Sequence, residues 1–81
     1  MYQSIHDHIS VVGIYQMGKF IPKKFKWRNK VLKIAEVTLS SDVKDGGVRK
    51  RLYSVMAENN LYRLTFNRDQ EVWTLDEVWY E

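Results

Sequence analysis

From Ile9 to its end the chain is a succession of short segments rich in Val, Ile, Tyr, Phe and Trp, set apart by Asn, Gly and Asp. Segments of this kind read as strands, and helix signals are nearly absent. Six strands are expected, at roughly 8–17, 20–28, 31–40, 48–57, 61–67 and 72–80. The length of 81 residues allows one domain. A chain this short buries only about 60% of its extended surface, so a few large side chains must build the core. Three Trp, five Tyr and three Phe supply them.

The turns sort the side chains. Asn59-Asn60 and Asn29-Lys30 each read as a two-residue hairpin turn, because Asn tolerates the positive φ of a type I′ turn. Closing the first turn there pairs Ala57 with Tyr62, Val55 with Leu64 and Tyr53 with Phe66 on one face. The other face is then mostly polar, and a one-residue slip would invert the sorting. Closing the second pairs Trp27 with Leu32 and Phe25 with Ile34. A third turn within Asn67–Glu71 keeps Tyr62, Leu64 and Phe66 on the face of Trp73 and Leu75 in either of two registers. The expected fold is therefore all-β: a six-stranded antiparallel meander, strongly curled or closed into a small barrel. Residues 1–7 are expected to be a flexible N-terminal segment, and 41–47 a mobile polar loop. Alternation breaks within 31–40, where a β-bulge near Ala35-Glu36 is expected. Pro22 marks an edge or a bulge.

Several function classes find no support. There is no cysteine, which removes a disulfide framework, a thiolate zinc site and a cysteine nucleophile. No apolar run approaches the roughly 18 residues of a membrane span. The opening M-Y-Q-S-I-H-D-H has neither the basic start nor the apolar stretch of a secretory signal, so a cytoplasmic domain is expected. No glycine-rich phosphate loop or nucleophile elbow is present, and Asp76-Glu77 alternate between faces rather than forming an acid/base pair. The expected function is therefore non-catalytic, with no cofactor. His6 and His8, two apart on an extended segment, could share an ion, but no third ligand is evident and no metal site is assigned.

The charge is segregated. The net charge of +3 conceals seven bases and no acid between Lys19 and Lys33, a second cluster at Arg49-Lys50-Arg51, and five acids with no base in residues 69–81. In the expected hairpin register Lys26 faces Lys33, a mildly destabilising like-charge pair. One reading is a ridge that meets nucleic-acid phosphates. The other is a lysine-guarded edge that resists pairing with other chains. Exposed aromatics could stack bases, but Phe25, Trp27, Tyr53, Tyr62, Phe66 and Trp73 all map to the core face. Tyr15, Phe20, Trp79 and Tyr80 are left unassigned. Trp79 and Tyr80 point to opposite faces of one strand, so at least one is expected to be exposed, in an interface.

The segment P-K-K-F-K-W-R-N-K-V-L-K-I, Pro22 to Ile34, resembles a family of small uncharacterised bacterial and archaeal domains with the hallmark P-x-x-F-x-W-R-G-R-x-Y-x-V. Arg51–Val55, Leu61–Phe66 and Val72–Trp79 look like its remaining strands. The chain departs from that pattern at Asn29-Lys30 and Leu32, and lacks a Trp after the third strand. The resemblance implies the all-β fold and carries no activity.

The expectation is thus a nucleic-acid-binding domain with Lys26, Arg28 and Lys33 as central contacts. Lys23, Lys24, Lys30, Arg49, Lys50 and Arg51 would flank them. The alternative is a protein-interaction or self-association module, pairing the basic second strand with the acidic C-terminal strand.

Overall fold

In the computed structural model, which describes residues 1–80, seven strands form one antiparallel sheet. They are β1 (Tyr2–Gln16), β2 (Lys19–Trp27), β3 (Lys30–Lys33), β4 (Glu36–Asp45), β5 (Val48–Ala57), β6 (Asn60–Asn67) and β7 (Val72–Trp79). The strand order is β3-β2-β1-β7-β6-β5-β4. No helix long and apolar enough to cross a membrane occurs among the described residues.

There are seven strands and not six because the stretch 31–40 divides. β3 pairs with β2 at one edge of the sheet and β4 with β5 at the other. Two residues join them. The Ile34 amide donates to the Lys23 carbonyl (2.9 Å) and the next amide, Ala35, to the Met56 carbonyl (2.8 Å). Consecutive residues thus bond to opposite ends of the sheet, which curls it into a half-barrel. This corner stands where a bulge was expected near Ala35-Glu36. The pairing register shifts a little later, between Val37 and Leu39, so Val37 packs on the core while Leu39 is exposed.

Four connections are two-residue turns with both residues at positive φ: Met17-Gly18, Arg28-Asn29, Gly46-Gly47 and Glu58-Asn59. In two of them Asn takes the second position, not the first. The turns therefore close one residue earlier than expected, and pairing moves by two: Phe25 faces Leu32, and Val55 faces Tyr62. A two-residue move preserves the faces, so the core is the expected one, with Phe25, Leu32, Tyr53, Val55, Tyr62, Leu64 and Leu75 buried. Lys33 now faces Lys24, and Lys26 faces Val31. In the third turn Phe66 pairs with Trp73 and Leu64 with Leu75. There the Asn67 side-chain oxygen accepts from the Asp69 and Gln70 amides.

Two segments expected to be irregular are strand. Residues 41–45 belong to β4, leaving only Gly46-Gly47 as turn. Residues 2–4 pair with β7, and Met1 and Tyr80 exchange backbone hydrogen bonds. The alternation of β1 is interrupted by left-handed His6 (φ 61°) and a register shift between Ser4 and Asp7, which hid this strand in the sequence.

Pro22 does mark a bulge. The β1–β2 register shifts there, opposite Gly13. A Cβ on Gly13 would collide with the Ile21 carbonyl oxygen and lie 2.6 Å from Phe20 Cζ. Gly13→Ala is expected to destabilise the domain by about 1–3 kcal/mol, read as a lower urea midpoint with an unchanged slope.

Candidate nucleic-acid interface

The half-barrel has two ends. One gathers the Arg28-Asn29 and Glu58-Asn59 turns, the Ile34-Ala35 corner and the N-terminus. The other gathers the Met17-Gly18, Gly46-Gly47 and 68–71 turns.

The nine candidate cations do not form one surface. Phe25 and Leu32 point inward and are buried, so Lys24, Lys26 and Lys33 project from the outer face of β2 and β3. Lys23, in the bulge beside Pro22, is also exposed. None of these four is in an ion pair among the described residues. The other five are each matched to a carboxylate. Arg28 meets Asp7 (3.2 Å), Lys30 meets Glu58 (3.0 Å), Arg49 meets Asp69 (2.8 Å), Lys50 meets Asp45 (3.3 Å) and Arg51 meets Asp42 (2.6 Å). The Arg49-Lys50-Arg51 cluster also alternates across β5, and three strands separate β5 from β2.

Arg28, expected at the centre, is anchored instead. Its guanidinium lies 4.7 Å from the centre of the Trp27 ring, a cation–π contact. Asp7 accepts from Trp27 Nε1 (2.8 Å) and from Arg28 Nε (3.2 Å). This knot ties the β2–β3 turn to β1. The Trp27 and Arg28 bonds hold the Asp7 carboxyl below the usual carboxylate range, and Arg49 and Arg51 do the same for Asp69 and Asp42. A depressed carboxylate contributes stability above its unfolded value of about 3.9, and that stability is lost as pH falls through the lower folded value. The melting temperature is expected to fall below about pH 4, and Asp7→Asn to be less stable than the wild type at neutral pH with a shallower acid decline.

Beside the lysines, Lys26, Arg28, His8 and Ser10 bound a shallow depression of about 390 Å³. His6 and His8 are not aligned on one face. Left-handed His6 interrupts the alternation that would align them, Ser4 Oγ lies 3.0 Å from His6 Nε2, and no group of three or more metal-ligating side chains occurs among the described residues.

No family model, no curated protein and no solved structure matches the chain. The geometry alone carries the functional reading.

The acidic C-terminal strand is not an edge. β7 lies between β1 and β6, so it has no free side on which to add the basic strand of another copy. Trp79 is 44% exposed on the outer face, with its ring 4.8 Å from that of Tyr2. Tyr80 is half-buried and donates from its hydroxyl to Gln3.

At the second end lies a feature that the sequence reading left unassigned. Tyr15, Phe20, Phe66, Trp73, Arg51 and Arg68 line a cleft of about 240 Å³. Tyr15 and Phe20 face each other across the Met17-Gly18 turn, ring centres 5.2 Å apart. Phe66 and Trp73 are cross-strand partners one pair in from Asn67–Val72, which closes β6–β7, with ring centres 4.8 Å apart. The hairpin at Met17-Gly18 was the available signal, since it sets Tyr15 opposite Phe20.

Proposed function

We propose that this domain is a non-catalytic nucleic-acid-binding module whose phosphate contacts are Lys23, Lys24, Lys26 and Lys33. The observation that carries the reading is that these four cations stand together without carboxylates, while every other expected contact is neutralised. Edge protection accounts for lysines on β3, the edge strand, but not for Lys24 and Lys26. Their stretch of β2 is paired on both sides, with β1 and with β3. Lys24 opposite Lys33 also costs some stability, a cost that a polyanion would offset. Binding of this kind is salt-sensitive and weakly sequence-specific.

Fluorescence anisotropy with labelled single- and double-stranded DNA and RNA tests the reading. Binding at about 50 mM salt that weakens steeply as salt rises is expected. No binding to any of the four at that salt would sink it.

A second reading, self-association, has one observation in its favour. Tyr2, Trp79, Leu61 and Met56 are successive cross-strand partners on the outer face of β1, β7, β6 and β5, and Tyr2 is 49% exposed. Such a row suits a contact between copies. Sedimentation over a range of concentrations decides it, a strict monomer removing this reading.

A further inference from the structure

We propose that the cleft at the second end of the half-barrel is a subsite for one unstacked base of a single-stranded nucleic acid, with its phosphate on Arg68. This rests on the nucleic-acid reading and narrows it to single strands.

The first argument is the exposure of the rings. Most of this aromatic cluster is ordinary core: Trp73 lies 4.8 Å from Phe66, 5.3 Å from Tyr53 and 5.8 Å from Phe20. Tyr15 is different. It is 80% exposed, yet set edge-on to Phe20 at the rim of the cleft. Phe20, Phe66 and Trp73 are themselves only half-buried. Four rings reach solvent at one place, an arrangement that leaves apolar surface wet unless a flat apolar partner covers it.

The second argument is charge. Asp42 grips Arg51 through Nε (2.6 Å) and Nη2 (3.4 Å), so Arg51 is a neutralised part of the wall and the phosphate contact falls to Arg68. Arg68 has an exposed side chain and no carboxylate partner among the described residues. Its backbone is fixed, because its amide donates to the Arg49 carbonyl (2.8 Å). The neighbouring Asp69 is already occupied by Arg49. Arg68 is therefore a guanidinium without a direct ion pair, held beside aromatic rings with Asp42 and Asp69 near enough to feel its charge, and it is the donor type best suited to a phosphate.

The third argument is size and position. A cleft of about 240 Å³ falls below the range of roughly 300–1,000 Å³ that takes a drug-sized ligand. It has room for one ring system, and it adjoins a wider depression of about 720 Å³ that shares Phe20, Arg51 and Tyr53 with it. β2 leads from Phe20 at the cleft to Lys24 in the unpaired lysine group, about 13 Å along the strand but on its outer face, so a ligand joining the two passes over the rim of the half-barrel. A continuous strand of nucleic acid could bridge the two positions, whereas a duplex keeps its bases stacked and offers none to the cleft.

The test compares two single strands of about 12 nucleotides, one carrying bases and one abasic throughout, with the matching duplex. The wild-type protein is expected to bind the base-bearing strand about 5- to 150-fold more tightly than the abasic one, with quenching of tryptophan fluorescence only by the former. Tyr15→Ala and Arg68→Gln alter exposed side chains and should leave folding intact, which circular dichroism checks. Tyr15→Ala is expected to remove most of the preference for the base-bearing strand while abasic binding persists. Arg68→Gln should weaken binding of the base-bearing strand more than binding of the duplex. Equal affinity for base-bearing and abasic strands, or a preference unchanged by Tyr15→Ala, overturns the subsite but leaves phosphate binding standing. Failure of both strands and the duplex to bind at low salt overturns the nucleic-acid reading and the subsite with it. Quenching by an acidic aromatic peptide but by neither strand also overturns it.

Discussion

Phe25→Ala is expected to remove about 3–5 kcal/mol of stability, the range for deleting a large aromatic side chain from a packed core. Phe25 is 1% exposed and meets Tyr62 edge-on at 5.2 Å. Val11 and Leu32 are its cross-strand partners on either side. It therefore joins the three strands at one end of the sheet to β6 across the interior. A domain of this length has a total stability of about 4–12 kcal/mol, so the loss would consume from about a quarter to all of it. Urea denaturation followed by tryptophan fluorescence is the measurement. Phe25→Leu, which keeps most of the volume, should cost less than half as much. Val31→Ala on the outer face should fall within about 0.5 kcal/mol of the wild type. Similar losses for Phe25→Ala and Val31→Ala would mean that the half-barrel does not close around Phe25.

That contrast between Phe25 and Val31 was legible in the sequence, because it depends on parity alone. Alternation puts Phe25, Trp27, Leu32, Tyr53, Val55, Tyr62 and Leu64 on one face, and any register differing by two residues keeps them there. What parity cannot give is the register itself. Asn29 and Asn59 identified the turns correctly, but Asn can occupy either central position. The partner of Lys33 was therefore read as Lys26 when it is Lys24. The corner at Ile34-Ala35 was legible only as a break in alternation. Whether such a break is a bulge in one strand or a passage between two edges depends on the distant partners Lys23 and Met56. The same limit applies to charge. The seven-base run is plain in the sequence, but the carboxylates that neutralise Arg28 and Lys30 lie 21 and 28 positions away, at Asp7 and Glu58. Only the fold separates the anchored cations from the unpaired ones. Likewise Arg68 and Tyr15, far apart in the chain, line one cleft only because the Met17-Gly18 and 68–71 turns lie beside each other.

Replacing Lys24, Lys26 and Lys33 together by Gln separates binding from folding, because the two should move in opposite directions. Each lysine that contacts a phosphate contributes about 0.7–0.9 to the slope of log K against log salt. Three losses should lower that slope by about 2–3 and, at roughly 50 mM salt, weaken binding by two to three orders of magnitude. The weakening should be uniform across sequences, since phosphates carry no sequence information. Stability should not fall. The substitution removes the repulsion between Lys24 and Lys33, worth a few tenths of a kcal/mol to about 1, and breaks no ion pair, since none of the three makes one among the described residues. The triple Arg variant keeps the charge and should retain the salt slope. Lys44→Gln, which removes an exposed lysine on the opposite edge strand, should leave binding within about twofold of the wild type. Binding that survives the triple Gln variant would move the phosphate contacts elsewhere. Binding lost equally in the triple Gln and triple Arg variants would rule out a purely electrostatic role for these lysines. The informative result is a protein at least as stable as the wild type that no longer binds, since a lysine face kept only to guard an edge would give no binding to lose.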